Sequence, residues 1–236
     1  MFGREAFFQR VAELRERVEK ACAESGRPLD EVKILPVTKN HPLEAVQAAV
    51  EAGFDAVGEN KVQEGLGKRE AFNRLEGINF QLVWEMIGHL QTNKAKFAVP
   101  GFDRIQSVDS LRLLEKLNSL AGAEGKRLRV LIQFNAGYDP GKFGFLPEEA
   151  GELGGLLGTF GNLSVEGLMT IAPLKGGTEA ARECFAQLRS VRERLERELG
   201  LGLPELSMGM TSDLEEAIAE GSTQIRVGSF LFGSRI

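Results

Sequence analysis

Apolar residues recur at steps of three and four between charges over residues 4–24, at Phe8, Val11, Leu14, Val18 and Ala21. That spacing predicts an amphipathic helix. A short β-rich run follows from Val32 to Val37, and residues 42–52 return to helical spacing, with Pro42 near the first turn and Gly53 as the stop. The alternation then repeats. Strands are predicted at 54–57, 80–87, 104–108, 128–134, 165–171, 206–208 and 223–227, and helices at 60–75, 90–98, 109–121, 147–158, 178–199 and 212–220. With the first run this makes eight strands, most followed by a helix, and no composition shift or low-complexity linker marks a boundary.

Such alternation implies parallel strands joined by right-handed crossovers, in an open doubly wound sheet or a closed barrel. Eight units favour closure: a single (β/α)8 TIM barrel spanning residues 1–236, near the roughly 250 residues usual for that fold, with the helix at 4–24 capping or flanking it. In a barrel the chemistry gathers where strands end and the following loops begin.

Charge and composition narrow the classes. Acidic residues number 34 against 29 basic, a net charge of −5, which argues against a uniformly basic nucleic-acid surface. No apolar run approaches the roughly 18 to 20 residues of a membrane span, and Met1 to Glu5 opens a charged helix instead of a signal peptide. A cytoplasmic protein with no membrane or nucleic-acid partner is expected. Two cysteines, Cys22 and Cys184, and two histidines, His41 and His89, point to neither a disulfide framework nor a metal site.

The strand ends hold the candidate chemistry. Lys39 follows the first strand, where a partly desolvated amine can attack an aldehyde; a solvated surface lysine is the plainer reading. Asn60 follows the second strand and doubles as a helix cap. Gly88 and His89 follow the third, as a tight turn and a possible acid, base or stacking group. The loops after the seventh and eighth strands carry Ser207, Gly209, Thr211, Ser212 and Asp213, then Gly228 and Ser229. Barrels commonly bind a phosphate between those two loops, whereas ordinary capping is the alternative for Thr211 to Asp213. Arg226 sits in an otherwise apolar strand, Gln224 to Val227, and needs a partner; alternation with Ile225 and Val227 leaves room for it to point toward the site.

With these residues in place the sequence resembles the pyridoxal phosphate homeostasis protein family, relatives of the N-terminal barrel of alanine racemase. The matching segments are PVTK at 36–39, VGENKVQE at 57–64, IGHLQTNK at 87–94, LIQFN at 131–135, KFGF at 142–145, GLMTI at 167–171, LSMGMTSDLEEAI at 206–218 and GSTQIRVGSFLFGSR at 221–235. The resemblance implies a fold-type III barrel binding pyridoxal 5′-phosphate (PLP), with Lys39 as the Schiff-base lysine. Ser207, Thr211, Gly228 and Ser229 would hold the phosphate, Arg226 would face the pyridine nitrogen, and Asn60 would lie near the ring. A carboxylate beside that nitrogen keeps it protonated and electron-withdrawing, whereas an arginine disfavours the proton and blunts carbanion chemistry. Two positions depart from the family pattern: Glu85 and Met86 follow Trp84 where Trp-His is usual, and Lys61 stands where an aromatic often sits.

The resemblance implies a carrier or buffer of PLP in intracellular vitamin B6 homeostasis, with apo-enzymes as transient acceptors and no established turnover. The alternative is a PLP-dependent enzyme with weak amino-acid racemase-like activity. Racemases take a second proton carrier, a tyrosine, from a separate C-terminal domain in the partner subunit, which a sequence ending at Ile236 is not expected to supply; Tyr138, its one tyrosine, falls in the loop after the fifth strand. A monomer is expected on the same ground. A third reading is a PLP-independent barrel aldolase using Lys39 on a sugar phosphate.

Overall fold

The structure, a computed structural model, describes residues 3–75, 80–200 and 202–233. Met1 and Phe2 of the predicted N-terminal opening, and Ser234 and Arg235 of the last matching segment, lie outside the described residues.

Short strands with alternating faces set the architecture. The strands are β1 (Lys33–Pro36), β2 (Ala56–Glu59), β3 (Val83–Met86), β4 (Arg104–Val108), β5 (Leu128–Gln133), β6 (Leu163–Met169), β7 (Glu205–Ser207) and β8 (Gln224–Val227). Their order in the sheet is β1-β8-β7-β6-β5-β4-β3-β2, and every pairing is parallel. The two ends of that order meet through one parallel bridge, Val37 to Gly58, where the Thr38 amide donates to the Gly58 carbonyl at 3.1 Å. The sheet is therefore the expected (β/α)8 barrel. Between the strands run α2 (Leu43–Glu51), α3 (Val62–Asn73), α4 (Ala95–Gly101), α5 (Leu111–Ala123), α6 (Ala150–Leu157), α7 (Gly177–Leu199) and α8 (Leu214–Ala219).

The outward faces of the strands and the inner faces of the helices share one large apolar core that includes Val57, Trp84, Met86, Ile105, Val130, Leu206, Ile225 and Val227. The inward faces are different. Leu35, Val37 and Ile87 form a small separate apolar cluster, and the rest of the interior includes buried Glu85, Arg104, Gln106, Ser207, Gln224 and Arg226. Alternation from Leu35 and Val37 carries Lys39 inward, and alternation from Val57 and Gly58 sends Glu59 outward and Asn60 inward.

The first helix, α1 (Arg4–Ser25), buries Phe7, Val11, Leu14, Val18, Ala21 and Cys22 and ends at Gly26 in the left-handed region. It flanks the barrel. Arg17 pairs with Glu215 of α8 at 2.8 Å and donates to the Thr211 carbonyl at 3.0 Å. Phe7 stacks on Phe232 at 5.1 Å, against a one-turn helix, α9 (Ser229–Phe232), too short to leave a period in the sequence.

Several elements differ from expectation: the strands predicted at 54–57 and 80–87 run over Ala56–Glu59 and Val83–Met86, and two further differences have a local cause. The helix predicted at 90–98 gives way to a loop and a single 3-10 turn at Thr92–Lys94, and the α-helix starts only at Ala95. The chain must first pass Gly88 over the Asn60 backbone, so closely that a Cβ at 88 would overlap the Asn60 carbonyl. The strand predicted at 165–171 runs instead over Leu163–Met169, opposite a register shift between Val130 and Leu131. Among the described residues no helix is long and apolar enough to cross a membrane.

Candidate functional site

At the carboxyl ends of the strands a cavity of about 240 Å³ opens in the barrel mouth. Lys39, Asn60, Thr211, Arg226, Gly228 and Ser229, scattered over nearly 200 residues of sequence, all line it. Val37 and Ile87 give it an apolar wall, and His41, Ile171 and Met210 complete the lining.

The turn that presents Lys39 is held from behind. Asn40 adopts φ 57°, a left-handed conformation that asparagine tolerates better than most residues, and the His41 amide returns to the Thr38 carbonyl at 3.1 Å. On the outer side of the sheet the Lys68 ammonium donates to the Thr38 carbonyl at 2.6 Å and to Glu59 and Glu64 at 2.8 Å each. Glu64 also accepts the Asn40 amide, and Thr38 Oγ1 donates to Glu59 at 2.6 Å. The residues on either side of Lys39 are thus tied to α3 through one buried ion cluster.

Burial pushes the Glu59 carboxyl above the ordinary range, Lys68 and the Thr38 hydroxyl pull it back, and Glu64 adds to the rise. A carboxyl whose pKa is raised by folding binds its proton more tightly in the folded state, so its ionisation lowers stability as pH climbs from the unfolded value through the folded one. Lys68→Met removes the main opposing cation. The variant is expected to lose about 2 kcal/mol at neutral pH, with a larger deficit at about pH 8 than at about pH 5. Thermal midpoints of both proteins at the two pH values check this; a deficit that grows on acidification contradicts it.

Asn60 does not cap α3, whose first turn starts from Lys61 with no side-chain cap. Its Oδ1 is buried without a hydrogen-bond partner. Leaving such an acceptor unsatisfied costs about 1 to 3 kcal/mol, and a ligand donor in the cavity would remove that cost.

Arg226 enters from β8. Its Nη1 donates to Ser207 Oγ at 2.7 Å and its Nη2 to the Thr170 carbonyl at 2.8 Å. Burial lowers the guanidinium to about 10, with Asp213 and then Glu85 opposing the drop, so it stays charged at neutral pH. Asp213 is itself engaged by the Met210 amide at 2.5 Å.

Ser207 lies beneath the cavity. It is fully buried beneath Arg226, donates to Gln106 Oε1 at 2.6 Å, and does not line the cavity. It is the third residue of a short strand whose neighbours Leu206 and Met208 face the outer core, so alternation turns it into the barrel. His89 is also away from the lining: its Nδ1 lies 2.6 Å from Asp109 and its ring stacks on Phe143 at 3.7 Å. Tyr138 is exposed and donates to Glu148 at 3.0 Å. His41 was not singled out by the sequence, although its place two residues after Lys39 was the available signal.

A family model described as the alanine racemase N-terminal domain matches residues 10–236. The pyridoxal phosphate homeostasis protein of Aquifex aeolicus is 39% identical over 96% of this chain and 97% of its own. That of Escherichia coli K12 is 35% identical over 95% of each. Among solved structures, PipY of Synechococcus elongatus aligns with a TM-score of 0.86 at 38% identity without PLP, and 0.84 at 37% identity with PLP bound. Both alignments cover 96% of this chain and 100% of PipY. Alanine racemase of Streptomyces coelicolor shares the fold alone, with a TM-score of 0.79 at 20% identity, over 98% of this chain and 59% of the racemase. A site built this way, on this barrel, with these relatives, places the chain in the pyridoxal phosphate homeostasis protein family, to which it belongs.

Proposed function

We propose that the protein is a PLP-binding domain spanning residues 1–236, which holds the cofactor on Lys39 and carries or buffers it in the cytoplasm, as a monomer, for transient delivery to apo-enzymes. The observation that supports this reading most is the meeting of Lys39, Arg226 and the unsatisfied Asn60 Oδ1 around one cavity. PipY, solved with PLP bound, and the names of the relatives support it further.

When bound, PLP supplies an aldehyde that condenses with a primary amine and releases water, and a pyridine ring that withdraws electrons. Lys39 supplies the amine. Thr211 and Ser229 offer hydroxyls, and the first-turn amides of α9, which have no acceptor within the helix, offer backbone donors for the phosphate. Ser207 contributes through Arg226. The Arg226 charge opposes a proton on a nearby ring nitrogen and so weakens the ring as an electron sink, which suits carriage better than turnover.

A second reading, weak racemase-like chemistry, is favoured by one observation: His41 lines the cavity as a possible second proton carrier. Amino-acid racemisation that is lost in His41→Gln with PLP still bound would support it. For the leading reading, titration with PLP is expected to give a visible absorption band, and borohydride reduction with peptide mapping to place the label on Lys39. A label on another lysine, or no band, overturns it.

A further inference from the structure

We infer that Glu85 is a positioning residue for Arg226, acting across the barrel interior through Gln106 and Ser207. This rests on the reading of the cavity as a PLP site, to which it adds a support that lies wholly beneath the cavity floor.

The geometry is a one-way chain of hydrogen bonds. Arg226 can only donate, and it donates to Ser207 Oγ at 2.7 Å. The hydroxyl has one proton, which goes to the nearer of two acceptors, Gln106 Oε1 at 2.6 Å, with Gln224 Oε1 at 3.3 Å. With its oxygen so committed, Gln106 turns its amide nitrogen to Glu85 Oε2 and to Gln224 Oε1, the latter at 2.6 Å. A carboxylate can only accept, so the chain cannot reverse at either end. Arg104 holds Glu85 in place by a two-pronged pair, Nε to Oε2 at 3.0 Å and Nη2 to Oε1 at 2.9 Å. All of these side chains are buried, and they come from β3, β4, β7 and β8. In so dry a setting each orientation is fixed by its neighbour, because the wrong rotamer would leave a buried polar group unpaired.

Replacing Glu85 by glutamine makes the terminal group both donor and acceptor, so the Gln106 amide is free to flip and face a donor toward Ser207. The Ser207 proton then loses the Gln106 oxygen and turns to Gln224 Oε1, 3.3 Å away, or toward Arg226, and either change alters the acceptor that Ser207 Oγ presents to the guanidinium. Ser207→Ala removes the last link, and Gln106→Met cuts the middle one while sparing the Glu85–Arg104 pair.

The test is a cycle of Glu85→Gln, Ser207→Ala and the double variant, read by PLP affinity and by the position of the visible band, with thermal midpoints measured alongside. Each single change is expected to weaken PLP about tenfold and shift the band, and the double variant to weaken it no more than Ser207→Ala alone. Effects that multiply to about a hundredfold, or a Glu85→Gln protein with unchanged band and affinity, overturn the inference. If Glu85→Gln does not fold, Gln106→Met carries the same expectation. If the wild-type protein takes up no PLP, the reading of the site fails, and the Arg226 side-chain NMR resonance in Gln106→Met still decides the relay: a shifted or broadened signal supports it and an unchanged one overturns it.

Discussion

Lys39→Ala is expected to abolish borohydride-stable attachment of PLP altogether while the protein stays folded, with a single cooperative urea transition. The first half follows from alternation: Lys39 is the lysine that the β1 end turns into the barrel mouth, and it lines the cavity. The two other lysines that matter are committed elsewhere. Lys68 sits outside the sheet between three acceptors. Lys142 donates to the carbonyls of Ile171, at 3.1 Å, and Ala172. Burial lowers the Lys142 pKa, partly offset by Asp139, Cys184 and Asp213, so it is the competitor to watch: more of it is uncharged and nucleophilic than of an ordinary lysine. The second half follows because the hydrogen bonds of Thr38, Asn40, Glu64 and Lys68 that hold this turn all remain in Lys39→Ala. Mass spectrometry of the reduced, digested protein checks the first and urea unfolding the second. A label moving to Lys142 at wild-type yield would sink the assignment.

The largest loss of stability is expected from Arg104→Met. Burial pulls the Arg104 guanidinium down, but Glu85, Glu205 and Glu166 outweigh it and hold it above the ordinary arginine range. Its carboxylates lie at 2.9 Å (Glu85), 3.4 Å (Glu166) and 3.5 Å (Glu205). Removing one partner of a buried pair leaves an uncompensated charge, at about 3 to 5 kcal/mol. That is a large part of the roughly 5 to 15 kcal/mol that holds a domain folded, and corresponds to a fall in Tm of about 10 °C. Glu85→Leu in the same chain is expected to restore part of the loss, because the stranded carboxylate goes with it. Urea midpoints of the single and double variants measure both steps. A loss below about 1 kcal/mol would show that water reaches Glu85.

What the sequence made legible was periodic. Eight strands and their helices followed from local spacing, and the strand-end rule took Lys39, Asn60, Thr211, Arg226, Gly228 and Ser229 to one cavity. The polar interior was not legible, because Glu85, Arg104, Gln106, Ser207 and Gln224, bonded partners 17 to 139 residues apart in sequence, meet only after the strands are rolled into a barrel. A trace was present: Glu85 within Val83–Met86, and Arg104 and Gln106 within Arg104–Val108, break apolar runs in the way Arg226 does. The place of Ser207 beneath the cavity was not legible for a related reason. A serine at a strand end reads as a ligand, and only the register of β7 beside β8 turns it under Arg226.

The joint between β1 and β2 has a mechanical consequence. β5 and β6 share six register pairs, whereas this joint rests on the Val37–Gly58 bridge, and β7 meets β8 over the single pair Ser207–Gln224. Transient breathing is least costly where the fewest backbone bonds must part. Lys39 and Asn60 stand two residues beyond the bridged pair, so unfastening that clasp would draw the two apart and widen the mouth while the longer ladders, such as β5–β6, stayed zipped.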